Sequence, residues 1–201
     1  MAEEIFYLAG SKPYGRSYGQ WTVDWWKCAV SIPTYDNPVL DKTGQKSDLG
    51  QPTSYVWFLA GIFPDVDHEF PHREVTVPRD RSVLFPILNC EASYLEYPHL
   101  TKADDLLKHI DNDMKTVVKR RCSVNGLNIE PQRVPSDPLI FNLQIPEDNV
   151  LEIEGPSNTE ATADGFWVFL KPLSQGCYKV DFEGSCEFGR LRSGAWYTLR
   201  V

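Results

Sequence analysis

The stretch FWVFLKPLSQGCYKVDFEGSCEFGRLRSGAWYTLRV, Phe166 to Val201, decides the fold class. Phe166-Trp-Val-Phe-Leu170 is an unbroken apolar run of strand length, as a well-covered central strand requires. After a turn through Ser174-Gln-Gly176, Tyr178, Val180 and Phe182 alternate with Lys179, Asp181 and Glu183. Successive strand side chains point to opposite faces, so this period of two predicts a half-buried strand. Tyr197, Leu199 and Val201 repeat the pattern. The spacing Leu173-x-x-Gly176-x-Tyr178 resembles the tyrosine corner of Greek-key β-sandwiches.

Upstream, the same signals recur. Ser54 to Gly61, Arg73 to Val77 and Ser82 to Leu88 read as strands, with Pro86 marking the last as an edge or bulged one. Cys122-Ser-Val-Asn125-Gly126-Leu-Asn-Ile129 reads as a hairpin on a type I′ turn. Leu139, Phe141, Leu143 and Ile145 alternate, with Val150 to Ile153 as their expected partner. Two helices interrupt this series. Ser17-x-x-Gln20 forms a capping box that opens a helix over about 17–31, ended by Ile32-Pro33. Its apolar arc, with Trp21, Trp25, Trp26 and Cys28, leaves a narrow stripe of Gln20, Asp24, Lys27 and Ser31. Such a helix must be embedded against a sheet. Asp24 and Lys27 then either face solvent or form a buried pair. Thr101-x-x-Asp104 opens a second, surface helix over about 101–119, with Lys119-Arg120-Arg121 at its C-terminal end. The expected architecture is all-β dominated, a β-sandwich or jelly-roll-like Greek key with these two helices. It forms a single domain, 1–201, whose C-terminal β region spans about 139–201.

Composition narrows the function classes. The 201 residues carry a formal charge of −8 and are 42% apolar and 12% aromatic. An acidic chain lacking a basic face is a poor nucleic-acid binder. Its longest apolar runs are of strand length, far below a membrane span. Neither nucleic acid nor membrane is expected as a partner. The acidic N-terminus shows no signal peptide, so the chain as given reads as soluble and cytoplasmic, or as secreted if a leader has been removed. Five cysteines without a C-x-x-C pair argue against a disulfide framework, although Cys177 and Cys186 flank a strand and could pair across a sheet.

Several motifs together resemble a family of small prokaryotic proteins of unassigned function. They are Tyr18-Gly-Gln-Trp21 with Trp25-Trp26, Val56-Trp-Phe-Leu-Ala-Gly61, Val77-Pro78, Leu84-Phe-Pro86 with Asn89, and Asp164-Gly-Phe-Trp167 with Lys171-Pro-Leu173. The likeness spans about Tyr14 to Val201. Many members of that family carry a signal peptide, and the resemblance implies no activity, cofactor or catalytic residue.

The most site-like segment is Asn89-Cys90-Glu91-Ala92-Ser93-Tyr94-Leu95-Glu96-Tyr97-Pro98-His99. Polar groups crowded at the end of an apolar strand are costly to desolvate unless they do something there. Glu91 and Glu96 can form an acid/base pair if the chain bends between them, with Asn89 or His99 orienting a substrate. The alternative is a solvated loop after a strand. Cys90 would act as a nucleophile only with a base such as His99 or His72 beside it. Tyr94, Tyr97 and Trp57 are the candidate binding aromatics. No cofactor is expected from a motif. A divalent metal would fall to His68 and His72, with Asp65, Asp67 and Glu69 nearby, yet Phe70-Pro71 between them removes the helical meaning of their spacing. The loop from Pro33 to Pro52 is long enough for a lid, and Asp36, Asn37, Asp41 and Asp48 could offer calcium ligands there.

Three classes of function remain open. The first is a binding module for a small molecule, glycan or protein. The second is a small enzyme, a hydrolase or isomerase, working by carboxylate acid/base chemistry at Asn89–His99. The third is a structural or assembly protein that forms oligomers.

Overall fold

Ser17 and Gln20 begin the first helix as their spacing requires. The Gln20 amide donates to Ser17 Oγ at 3.2 Å and the Ser17 amide to Gln20 Oε1 at 2.9 Å. In the computed structural model, which describes residues 5–51, 55–62, 69–187 and 191–201, this helix is α1 (Tyr18–Ser31). Ile32 is extended and Pro33 follows, so the helix stops there. Trp21, Trp25, Trp26, Ala29 and Val30 are buried. Two of the indoles hold distant backbone: Trp21 Nε1 donates to Pro13 O at 3.1 Å and Trp25 Nε1 to Leu59 O at 2.9 Å. The polar stripe faces outward. Asp24 pairs with Arg16 at 2.5 Å and Lys27 is exposed, so Asp24 and Lys27 form no buried pair.

Among the described residues, ten strands make two five-stranded sheets. The first runs β1 (Val56–Phe58), β3 (Ser82–Ser93), β8 (Ser157–Leu170) and β6 (Gln132–Arg133), with β7 (Phe141–Ile145) also paired to β8. The second runs β2 (His72–Thr76), β10 (Arg192–Arg200), β9 (Cys177–Cys186), β4 (Val117–Val124) and β5 (Leu127–Asn128). The all-β-dominated class with two helices holds. Each sheet contains one parallel pair, β1 with β3 and β2 with β10, so neither strand order is the purely antiparallel one of a jelly roll.

Layering explains the two sequence patterns. The first sheet is covered on both faces. Leu84, Trp167 and Phe169 pack with α1, while Val83, Phe85, Val168 and Leu170 meet Val180, Phe182, Tyr197 and Leu199 of the second sheet. A strand buried on both sides reads as a continuous apolar run. The second sheet buries one face only, which gives β9 its alternation. The sheets approach closely at Gly184, where an added Cβ would sit 2.7 Å from Leu88 Cβ. Opposite it, the β3/β8 register shifts between Pro86 and Leu88, the bulge that Pro86 announced.

α2 (Ala103–Lys115) covers the far end of β3 and β8 through Leu106, Ile110 and Met114. It is shorter than expected. Lys102 rather than Thr101 is its N-cap, without a side-chain bond, and Asp104 and Asp105 meet the positive end of the helix instead. The chain turns at Thr116 into β4, so Lys119-Arg120-Arg121 lies on a strand, not at a helix end. There Lys119 pairs with Glu183 at 2.5 Å and Arg120 with Glu130 at 3.2 Å.

Other local readings fare variously. Asn125 and Gly126 both take positive φ, as the hairpin turn needs, and Tyr178 Oη donates to Ser174 O at 3.0 Å in the manner of a tyrosine corner. β7 pairs with residues 157–161, while Val150 to Ile153 forms no strand. The five cysteines are free. Cys177 and Cys186 are the two ends of one strand, which at about 3.4 Å per residue puts them far beyond disulfide reach.

The segment from Pro33 is pinned rather than left as an open lid. Asn37 Nδ2 donates to Ala29 O and Ile32 O, Asp41 accepts from the amides of Thr43 and Lys46, and Asp36 pairs with Lys46 at 3.7 Å. The buried Arg73 of β2 clamps this segment. Its Nε donates to Asp41 O at 2.6 Å, and its Nη1 to Ala60 O at 2.5 Å and to Tyr197 Oη at 2.7 Å.

Candidate functional site

β1 pairs with β3 only over Ser82–Leu84, so the rest of β3 runs on beyond its neighbour. Along that stretch lies a cavity of about 260 Å³, lined by Trp26 of α1, Leu88 to Glu91 of β3, Glu96, Tyr97 and Asp113, with Ile62, Leu151 and 191–193 closing it. Asn89 and Glu91 stand two apart on the strand and therefore on one face. β3 ends at Ser93 and the chain turns back, with the Tyr97 amide donating to Ser93 O at 3.0 Å. That bend brings Glu96 beside Glu91, against the same cavity.

Glu96 is fixed from below. Its Oε2 accepts from the Ser93 amide at 3.1 Å and from Ser93 Oγ at 2.8 Å. Glu91 is different. It is only 8% exposed, and no protein donor reaches its carboxyl oxygens, whose one hydrogen bond is the one shared with the Glu96 carboxyl. Burial, and then the neighbouring Glu96, drive its affinity for a proton well above the ordinary carboxylate range. It holds its proton well beyond the pH at which a free glutamate loses one.

Two more residues of the same lining carry orphaned atoms, Trp26 at Nε1 and Asn89 at Nδ2. Buried polar atoms are nearly always paired, and each unpaired one costs about 1–3 kcal/mol. Tyr18, Trp57 and Trp167 also carry orphaned atoms, but none of these residues lines this cavity. Trp26, Asn89 and Glu91, which carry two orphaned donors and a carboxyl, thus stand around one small volume.

The surrounding field is negative. The Tyr97 phenol is pushed up by burial and then by Glu96, Asp113, Cys90 and Glu91. The Cys90 thiol is pushed far up by burial and then by Asp113, Cys186, Asp164 and Glu91. A thiol held protonated in this way is a poor nucleophile, and His72 and His99 are not among the cavity's lining residues. Arg192, a cation in the lining, lies 3.8 Å from Glu183 and 4.1 Å over the Phe70 ring.

Of the expected site residues, Asn89, Glu91, Glu96 and Tyr97 come together here. His99 is exposed and does not line the cavity; its ring centre stands 6.2 Å from that of Tyr97. Tyr94 is half-buried against the α2 cluster. Trp57 is buried between the two sheets, so it serves the core rather than a binding surface. His72 sits on the outer face of the second sheet, its ring 4.5 Å from Trp196, and His68 lies outside the described residues. Among the described residues no group of three or more His, Cys, Asp or Glu is arranged to hold a metal, and no helix is long and apolar enough to cross a membrane.

Sequence reasoning passed over Asp113 and favoured core packing over a pocket lining for Trp26. Trp26 belongs to an apolar arc whose obvious use is packing. The one available hint was chemical: an indole N–H on an embedded helix must find an acceptor. Compared with known protein families, with curated proteins and with solved structures, the chain finds no match. The likeness to a prokaryotic family therefore rests on its motifs alone.

Proposed function

We propose that this protein binds a small polar molecule in the cavity beside β3. The observation that carries the reading is that three residues lining one volume, Trp26, Asn89 and Glu91, each carry buried polar atoms that no other protein group, the Glu96 carboxyl at Glu91 apart, serves as donor or acceptor. A ligand bearing both acceptors and donors would satisfy them together, recovering desolvation that the free protein bears unrelieved. A thermal-shift screen of polyols, amines and carboxylic acids tests this. Ligands that stabilise the protein should bind roughly tenfold more weakly to Trp26→Phe, which removes one N–H donor worth about 1–1.5 kcal/mol. Equal binding to Trp26→Phe and to Asn89→Ala would place any such ligand elsewhere and end the proposal.

A second reading follows from Glu91 holding its proton beside Glu96. Two carboxyls in unequal environments are how general acid and base are set apart, which would make the site an acid/base enzyme's. On that reading a ligand from the screen is turned over, and Glu91→Gln abolishes turnover while leaving binding measurable. Unchanged turnover in Glu91→Gln would remove it.

A further inference from the structure

Resting on the small-ligand reading, we infer that the cavity is built for a compact organic amine that also carries a hydroxyl or carbonyl oxygen, such as an amino sugar or amino alcohol. The argument is one of complementary needs. No protein donor reaches the two oxygens of Glu91, and an ammonium group has N–H donors and a positive charge to give, the proton of Glu91 passing to solvent as the ammonium takes its place. Glu96 and Asp113 line the same space, so a cation entering it meets three acidic side chains, while Arg192, the cation of the lining, has Glu183 at 3.8 Å as its counter-charge. The groups that raise the proton affinity of Tyr97 and Cys90 are themselves acids or thiols, without a cation among them. An anionic ligand would meet that field as repulsion. Charge-assisted bonds to a carboxylate are roughly twice as strong as neutral ones, so the amine should be the ligand's anchor.

Trp26 Nε1–H and Asn89 Nδ2–H set the second requirement. Both are donors without an acceptor, and an ammonium cannot serve them. An oxygen on the same ligand can. Asn89 and Glu91 stand two residues apart on one strand face, roughly 7 Å along the strand, so amine and oxygen should be separated by only a few bonds. The volume, about 260 Å³, equals that of roughly nine waters at about 30 Å³ each, room for a monosaccharide-sized molecule.

The test titrates the full chain with two matched pairs, D-glucosamine against D-glucose and 2-aminoethanol against ethylene glycol. Binding is followed by calorimetry and by the Trp26 indole N–H resonance. At pH 7 at least one amine should bind tenfold or more tightly than its neutral counterpart, and should shift that resonance. Glu91→Gln should reduce the amine to the level of its counterpart, and Glu96→Gln should weaken it in the same direction; melting curves establish that each variant folds. If a neutral counterpart binds as well as its amine and shifts the indole, the small-ligand reading survives and the amine inference falls. If no member of either pair moves the indole, both fall.

Discussion

At the scale of the residue, Glu91 is the most consequential side chain in the molecule. Its folded-state proton affinity is raised, by burial and by Glu96. Below the ordinary carboxylate range both folded and unfolded chains hold this proton, and Glu91 adds no ionisation penalty to the cost of its burial. As pH rises past that range the unfolded chain releases the proton while the folded one keeps it, so stability falls. The slope is at most about 1.4 kcal/mol per pH unit for one proton. Glu91→Gln keeps the shape and removes the titration. Its melting temperature should match the wild type near pH 4 and exceed it increasingly towards pH 8. A difference that stays flat with pH would show that Glu91 ionises freely in the fold. The residue types of this site were legible, because Asn, Glu and Glu crowded after an apolar run are out of place. Their convergence with Trp26 was not, since it depends on where α1 crosses the sheet.

At the scale of the element, α1 shows how local and tertiary signals agree. The Ser17–Gln20 box satisfies backbone groups that would otherwise lack partners, and the broad apolar arc then fixes the helix against the first sheet. Ser17→Ala should cost about 1 kcal/mol, read as a lowered denaturation midpoint with an unchanged slope. A loss below a few tenths would mean that packing alone sets the helix start. Helix existence and this boundary were readable because caps and periodicity are local. α2 was drawn too long for an equally physical reason. Lys119-Arg120-Arg121 suits a helix end in isolation, but pairing with β9 and the ion pair to Glu183 hold it as strand. Val150 to Ile153 failed similarly: β8 extends to Ser157 and takes the edge of β7 that the alternation there had suggested for those residues.

At the scale of the whole molecule, Arg73 joins parts that are distant in sequence. Its guanidinium binds carbonyls of the segment after α1 and of Ala60, and meets Tyr197 on β10. Arg73→Met keeps the bulk and leaves Asp41 O, and part of the Ala60 pairing, without a donor. It should cost about 2–4 kcal/mol, lowering the melting point by roughly 5–12 °C in a chain of this size. A shift within about 1 °C would show the clamp to be dispensable. Nothing in Arg73-Glu-Val-Thr-Val77 beyond its alternation announced this role, because the partners are backbone atoms brought together only by the completed fold. The placement of β10 between β2 and β9 has a consequence for how the chain comes into being. On the ribosome, β2 emerges well before the strand it pairs with, residues 192–200, which follows the other nine described strands in the chain. Until then Val75 and Val77 have no sheet to join, and non-local pairing of this kind slows folding. The nascent protein should therefore hold its first sheet, α1 and the β9-β4-β5 part of the second sheet as a partly covered intermediate, open to chaperones, and β10 should bring in β2 in one late step.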